Sequence, residues 1–150
     1  MRKNFFFFIV FEGVEGTGKT YQINKLYKNL REKKIPSIKT REPGGPNTAE
    51  KIRNLIFSKN SSQFDSLTDF YLMCAARNEH IKKLLLIAKK LKRVVICDRF
   101  TDSTFAYQVV GNKIDKKINT VNQHYILKGL KPNLTIVLKA NFKTIFSRLN

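Results

Sequence analysis

Gly13-Val14-Glu15-Gly16-Thr17-Gly18-Lys19-Thr20 is the stretch that decides how this chain is read. The octet fits the pattern G-x-x-x-x-G-K-[ST]. It lies between an unbroken apolar run, Phe5 to Phe11, and a segment of helical pattern, Lys19 to Lys34. Each residue type has a chemical reason. Glycines let the backbone turn tightly, so that successive N–H groups point inward at phosphate oxygens. The helix that follows adds its positive N-terminal end. Lys19 is placed to neutralise the β- and γ-phosphates of a nucleotide, and Thr20 offers a hydroxyl to Mg²⁺. At average residue usage a chance match in a chain of this length is roughly a few per thousand. The bland alternative is a glycine-rich turn with a surface lysine; strand, loop and helix in the required order argue against it.

Outward from the loop, strands and helices alternate. Phe5 to Phe11 is a first strand, buried on both faces by its unbroken apolarity. Ile23, Leu26, Tyr27 and Leu30 recur at helical spacing in a helix that stops before Pro36. Ser37 to Thr40 is a short strand, followed by the turn-rich Arg41-Glu42-Pro43-Gly44-Gly45-Pro46. Asn47, with Glu50 three residues on, resembles a capping arrangement for a helix carrying Ile52, Leu55 and Ile56. Ser66 and Asp69 mark another helix start, and helical character runs, with room for a break, to about Leu91. Val94 to Asp98 is a buried strand ending in an acid. Ser103 to Val109 reads as helix, and Lys116 to Lys128 as a helix stopped by Gly129 and Pro132. Leu134 to Leu138 is the last strand, and Phe142 begins a further helix. This order implies a parallel sheet covered by helices on both faces, with ligands beyond the carboxyl ends of the strands. The loops at Gly13, Arg41 and Asp98 should therefore converge on one edge.

Composition narrows the class. Residues 1–150 suit one domain with one core. Cys74 and Cys97 sit in apolar segments without metal-ligand spacing and read as buried thiols of a reducing compartment. Met1-Arg2-Lys3-Asn4 and the apolar run superficially resemble a signal peptide. The run is short, however, and ends in Glu12 and the phosphate loop without a small-residue cleavage site. No segment approaches the length of a membrane span, so the expectation is a cytoplasmic protein with no membrane partner. The formal charge of +18 predicts polyanion attraction at low salt. The lysines are spread along the chain rather than gathered in one tract, so no specific nucleic-acid partner is expected.

Four segments occur in order: Phe11 to Thr20, Thr40-Arg41-Glu42-Pro43-Gly44-Gly45, Ala75-Ala76-Arg77, and Asp98-Arg99-Phe100 continuing through Asp102-Ser103-Thr104 to Ala106-Tyr107-Gln108. Together they resemble bacterial thymidylate kinases from about Phe8 to Arg148. The second and fourth are more specific than the phosphate loop. The resemblance implies a P-loop NTPase-like, three-layer α/β fold of the nucleoside monophosphate kinase type. It also implies transfer of the ATP γ-phosphoryl group to dTMP, with Mg²⁺ as cofactor, and a homodimer.

What it implies for residues follows position by position. Gly13, Val14, Glu15, Gly16, Thr17, Gly18, Lys19 and Thr20 would hold ATP, with Glu15 an acid near the reacting phosphoryl group. Arg99 would hold the dTMP phosphate, since a planar guanidinium suits two phosphate oxygens at once. Glu15, Lys19 and Arg99 are the catalytic candidates. Thr20 and Asp98 would act on Mg²⁺, with capping of the next turn the plainer role for Asp98. Arg53 would lie near the acceptor phosphate, Arg77 at the base, and Glu42 near sugar and metal. Thr104 and Gln108, one helical turn apart, would contact thymine. Arg41 is counted with the substrate-binding residues, with a structural role as its alternative. Pro43 is a candidate for a cis peptide bond.

Three departures qualify the resemblance. Met73 stands where the family usually places an aromatic ring on thymine; a thioether covers a base face without ring stacking. Phe70 and Phe105 are possible substitutes, each more simply core. Lys139 replaces a usually acidic or amide residue. Gly16, in place of Arg, resembles the class that supplies catalytic arginines from a mobile lid. The family continues into that lid and then a terminal strand and helix, beyond the point where this sequence stops. The expectation is therefore a C-terminally truncated kinase domain that dimerises through the helices around Thr48 to Phe57 and Ser66 to Ala88 and turns over slowly. Two other readings are another P-loop small-molecule kinase, which Arg53 and Arg99 disfavour for a neutral acceptor, and a non-catalytic nucleotide- or polyanion-binding protein.

Overall fold

The structure, a computed structural model, describes residues 5–58 and 64–149. Met1 to Asn4, on which the signal-peptide comparison rests, lie outside the described residues. The first strand, β1 (Phe7–Glu12), is followed by α1 (Lys19–Glu32), β2 (Ser37–Arg41), α2 (Asn47–Phe57) and α3 (Ser66–His80). A π-helical stretch, Ile81–Leu85, joins α3 to α4 (Leu86–Lys90). Then come β3 (Val94–Asp98), α5 (Thr101–Thr104) running into π-helical Phe105–Gly111, α6 (Lys116–Leu127), β4 (Leu134–Val137) and α7 (Phe142–Leu149).

Among the described residues the strands form one parallel sheet in the order β2-β3-β1-β4. Alternation along β1 divides the core. Phe8 and Val10, with Val95 and Cys97 of β3, face Ile81, Leu85, Ala88, Phe100 and Leu130. Ile9 and Phe11, with Val94 and Ile96, face Ile23 of α1 and its neighbours Leu26, Tyr27 and Leu30. A central parallel strand is covered on both sides, which is why its sequence shows no polar alternation. A smaller cluster of Phe70, Cys74 and Ile114 ties α3 to the segment before α6.

The register does the positioning. Arg41 lies opposite Asp98, and Asp98 opposite Phe11, so three strands end level. The ladder then runs on into the loops: Glu42 N donates to the Asp98 carbonyl, Arg99 N to that of Phe11 and Leu138 N to that of Glu12, each at 2.9 Å. The convergence expected of the loops at Gly13, Arg41 and Asp98 follows from these bonds.

Several local expectations change. The strand begins at Phe7; Phe5 is exposed. Asn47 opens α2, yet Glu50 closes no capping box, because the preceding residue is Pro46 and Glu50 turns back to accept from Gly45 N at 2.8 Å. The cap of α3 is Asp65, whose Oδ1 accepts from the N–H groups of Leu67 and Thr68 at 2.9 and 3.1 Å. The segment read as helix from Ser103 to Val109 widens to π-helical geometry from Phe105. Both cysteines are buried free thiols, and burial pushes that of Cys74 up to about 11. No helix among the described residues is long and apolar enough to cross a membrane.

Phe8 is fully buried and meets Phe100 edge to face, ring centroids 5.1 Å apart. Phe8→Ala should therefore lower unfolding free energy by about 3–5 kcal/mol, the usual cost of deleting a core ring. Urea denaturation measures it, and a loss below about 1 kcal/mol would mean that the sheet face refills the space.

Candidate active site

The loop after β1 needs glycine at particular points. Gly13 has φ +137°, and a Cβ there would lie 2.5 Å from the Leu138 carbonyl oxygen, backbone that cannot swing aside. Gly18, the residue before α1, has φ +92°. Lys19 is buried in the first turn of α1, and its ammonium donates to the carbonyls of Gly13 and Val14 at 2.8 and 2.9 Å. Burial and the nearby Arg99 push its pKa down, against the pull of Asp98, Glu12 and Glu15. Glu15 and Thr20 are exposed.

Glu12, the last residue of β1, is buried, a residue that sequence reasoning passed over. Its Oε1 accepts from Phe100 N at 2.8 Å and its Oε2 from the Ser103 hydroxyl at 2.6 Å. An acid closing an otherwise apolar strand was the available signal. The carboxylate fixes the turn after β3, where Arg99 holds φ +68°, a left-handed conformation uncommon outside glycine. The Arg99 guanidinium donates to Ser103 Oγ at 3.1 Å and Tyr107 Oη at 3.3 Å and lies 5.4 Å from the Tyr107 ring centroid.

Beyond β2 the Glu42–Pro43 peptide is cis, the isomer for which the family resemblance made Pro43 a candidate. Glu42 is buried, with both oxygens committed: Oε2 accepts from Arg77 Nε and Oε1 from His80 Nδ1, both at 2.7 Å. Arg77 Nη2 donates to the Phe100 carbonyl at 3.1 Å and Thr104 Oγ1 at 2.7 Å. Its Nη1 is buried without a partner among the described residues. Gln108 is buried and donates to Asp69 at 3.1 Å. Arg41 pairs with Glu50 through two hydrogen bonds of 2.9 and 3.2 Å, which also anchors the Gly45 turn. Arg53 donates to the Pro43 carbonyl at 2.9 Å and lies over the Phe57 ring.

These side chains line two adjoining cavities. One, of about 840 Å³, is lined by Met73, Arg77, Thr104, Tyr107 and Gln108 among others. The second, of about 1140 Å³, is lined by the residues from Glu15 to Gln22, Arg41, Arg53, Asp98, Lys139 and Arg148. Glu15, Glu42, Pro43, Phe57 and Arg99 border both. Phe70 and Phe105 border neither: the first is core, and the second lies beneath Lys116. Arg148 reaches from α7 to donate to the Gly16 carbonyl at 2.9 Å. Nothing in the structure explains a lysine at 139.

The family model described as thymidylate kinase matches residues 11–150. The chain belongs to the thymidylate kinase family. It is 44% identical over 147 residues to the thymidylate kinase of Mycoplasma genitalium, covering 95% of this chain and 67% of that protein. Against the thymidylate kinase of Pelobacter propionicus the identity is 39% over 133 residues, 88% of this chain and 60% of the relative. The chain thus spans about two thirds or less of the length of these kinases. The crystal structure of thymidylate kinase from Ehrlichia chaffeensis superposes with TM-score 0.83 at 34% identity, covering 97% of this chain and 77% of that one. Fold and family agree with the P-loop, nucleoside monophosphate kinase architecture expected from the motifs.

Glu42 supplies a pH test. Burial alone would raise its carboxyl; Arg77 and His80 outweigh that and hold it below the usual carboxylate range. A lowered folded-state pKa contributes stability above the unfolded value of about 4.3, lost as pH falls from there through the folded value. The stability gap between the parent and Glu42→Gln should accordingly narrow as pH drops from about 5 toward 3. Denaturant titrations across that range measure it; a constant gap would mean that the Glu42 charge is not what Arg77 and His80 hold.

Proposed function

We propose that this chain is a thymidylate kinase core that transfers the γ-phosphoryl group of ATP to the phosphate of dTMP. The observation that carries this reading is the pair of cavities meeting at Glu15 and Arg99, one floored by the phosphate loop and the other bordered by Arg77, Met73 and Gln108. A donor nucleotide in the first and an acceptor in the second bring their phosphates together at that junction. No covalent intermediate is required, because positioning and charge neutralisation carry phosphoryl transfer.

Roles follow from place. Loop N–H groups and Lys19 bind the donor phosphates, the ammonium leaving the carbonyls of Gly13 and Val14 for phosphate oxygens. Arg99, steadied by Ser103 and Tyr107, holds the acceptor phosphate, while Arg53 reaches the junction from the donor cavity. Arg77 offers its free Nη1 to an acceptor atom of the base. Gln108 and the Met73 thioether border the same space, the sulfur covering a base face. Glu42 acts through Arg77, and Arg41 through the Gly45 turn. For Mg²⁺ the donor set fits: Asp98 carries a buried Oδ1 without a partner among the described residues, and Thr20 borders the same cavity. When bound there, Mg²⁺ would neutralise charge on the β- and γ-phosphates.

Two further properties belong to this reading. The kinase is cytoplasmic, consistent with its two free thiols. It pairs with a second copy through α2 and α3, which leave Leu55, Phe57, Leu67 and Tyr71 exposed. Sedimentation equilibrium should give twice the chain mass; a single-chain mass at tens of micromolar would reject the pairing.

Binding separates the two cavities. Arg99→Ala should weaken dTMP by about 1.5–3 kcal/mol, the worth of a charged hydrogen bond, with a smaller effect on ATP. Lys19→Ala should do the reverse and abolish transfer. Titration calorimetry with each nucleotide is the measurement, and equal losses for both in the Arg99 variant would show donor and acceptor sides misassigned.

A further inference from the structure

His80 is the most completely enclosed polar side chain of the α3 face that borders the acceptor cavity, with 0% exposure, yet it does not itself border that cavity. It lies three residues after Arg77, hence on the same helix face. Its Nδ1 is 2.7 Å from Glu42 Oε1 and its Nε2 2.9 Å from Thr40 Oγ1. Gly45 closes over it so tightly that a Cβ there would sit 2.9 Å from the imidazole Cδ2. Glu42 is held as a carboxylate, so it can only accept, and Nδ1 must carry the proton between them. In the Nδ1–H tautomer, Nε2 accepts from the Thr40 hydroxyl.

The consequence falls on Arg77. A carboxylate beside an arginine tends to take two parallel hydrogen bonds, one from Nε and one from the neighbouring terminal nitrogen. His80 occupies Oε1, so Glu42 spends only Oε2 on Arg77, at Nε. Nη2 is left for the Phe100 carbonyl and the Thr104 hydroxyl, and Nη1 remains without a partner among the described residues. The geometry points to His80 as a positioning residue: by holding half of the Glu42 carboxylate, it fixes the guanidinium plane that presents Nη1 to the acceptor base. Without it, Glu42 turns to take both Nε and Nη2, and Nη1 swings away.

This inference rests on the acceptor reading above, and the test keeps the two apart. Parent, His80→Leu and His80→Asn chains are titrated with dTMP, dCMP and ATP, and their melting temperatures are recorded. An asparagine amide can still donate to Glu42, whereas leucine cannot. His80→Leu should bind dTMP about tenfold more weakly, the loss of roughly one buried hydrogen bond, with ATP affinity within about twofold. Its preference for dTMP over dCMP should also fall, because dCMP carries an amine where dTMP carries a carbonyl able to accept from Nη1. His80→Asn should recover most of both. In the parent, imidazole ¹⁵N shifts should show the Nδ1–H tautomer for one of the two histidines; this readout needs no variant to fold. Parent chain that fails to bind dTMP overturns the acceptor reading and this proposal together. Parent that binds dTMP, with His80→Leu keeping the same dTMP affinity and the same dTMP-to-dCMP ratio, overturns the proposal alone. An Nε2–H tautomer at His80 does the same.

Discussion

The buried carboxylate of Glu12 holds the two halves of the site in one frame. It ends the central strand, one residue before the phosphate loop, and accepts hydrogen bonds from the backbone and side chain of the segment that carries Arg99. A carboxylate in this position is costly to desolvate and is kept only because it is answered by donors on a single rigid partner. Any shift of the phosphate loop relative to Arg99 would break short, charge-assisted bonds. Phosphoryl transfer tolerates little error in the distance between donor and acceptor. Here the phosphate loop and the turn of Arg99 are tied together by one strand residue rather than by either loop alone.

Glu42 does for Arg77 what Glu12 does for the turn of Arg99. Both lie at the carboxyl ends of parallel strands, where the sheet register delivers them level with one another, and neither is a free acid. Glu12 organises the turn of Arg99, while Glu42 organises Arg77. In each case a fixed anion inside the sheet edge orients a cation that faces the cavity. Breaking the buried Glu42–Arg77 pair at one partner costs about 3–5 kcal/mol because the other charge is stranded. Stability and recognition are therefore written in the same residues at this edge of the molecule.

How far this was legible in the sequence follows from the same physics. Buried parallel strands announce themselves by apolar runs, so β1 and β3 were readable, and the glycine pattern between β1 and α1 admits few other conformations. The cavity residues of the fourth motif could be named because that segment resembles the thymidylate kinase family. What could not be read depends on contacts between elements distant in the chain. Glu12 meets Ser103 across the sheet edge, and His80 meets Thr40 and Glu42 across a helix–strand packing. Neither partner is within a turn of the other. Local signals misled at Glu50, where an acid in the first turn suggested a cap, while Arg41 and the Gly45 N–H offered it stronger partners in space. The π-helical widening after Thr104 leaves no mark in hydrophobic periodicity at all.

The charge of the chain has two separable effects. Most of the +18 is spread over solvated faces, where it raises the encounter rate with any polyanion and is screened by salt. Inside the donor cavity the situation differs. Lys19, Arg41, Arg53, Arg99, Lys139 and Arg148 border it together, against the carboxylates of Glu15, Glu42 and Asp98, with Glu42 already committed. Burial, then Arg99, pushes the Lys19 pKa down; burial, then Arg41, does the same to Arg53. These cations are thus held in proximity that their own repulsion opposes, by a backbone that cannot relax around Gly13 and Glu12. An anion at the junction relieves several of those repulsions at once, and the relief adds to its hydrogen bonds. Diffuse surface charge has no such focus, so the arrangement of these six cations, and not the net charge, makes this cavity an anion site.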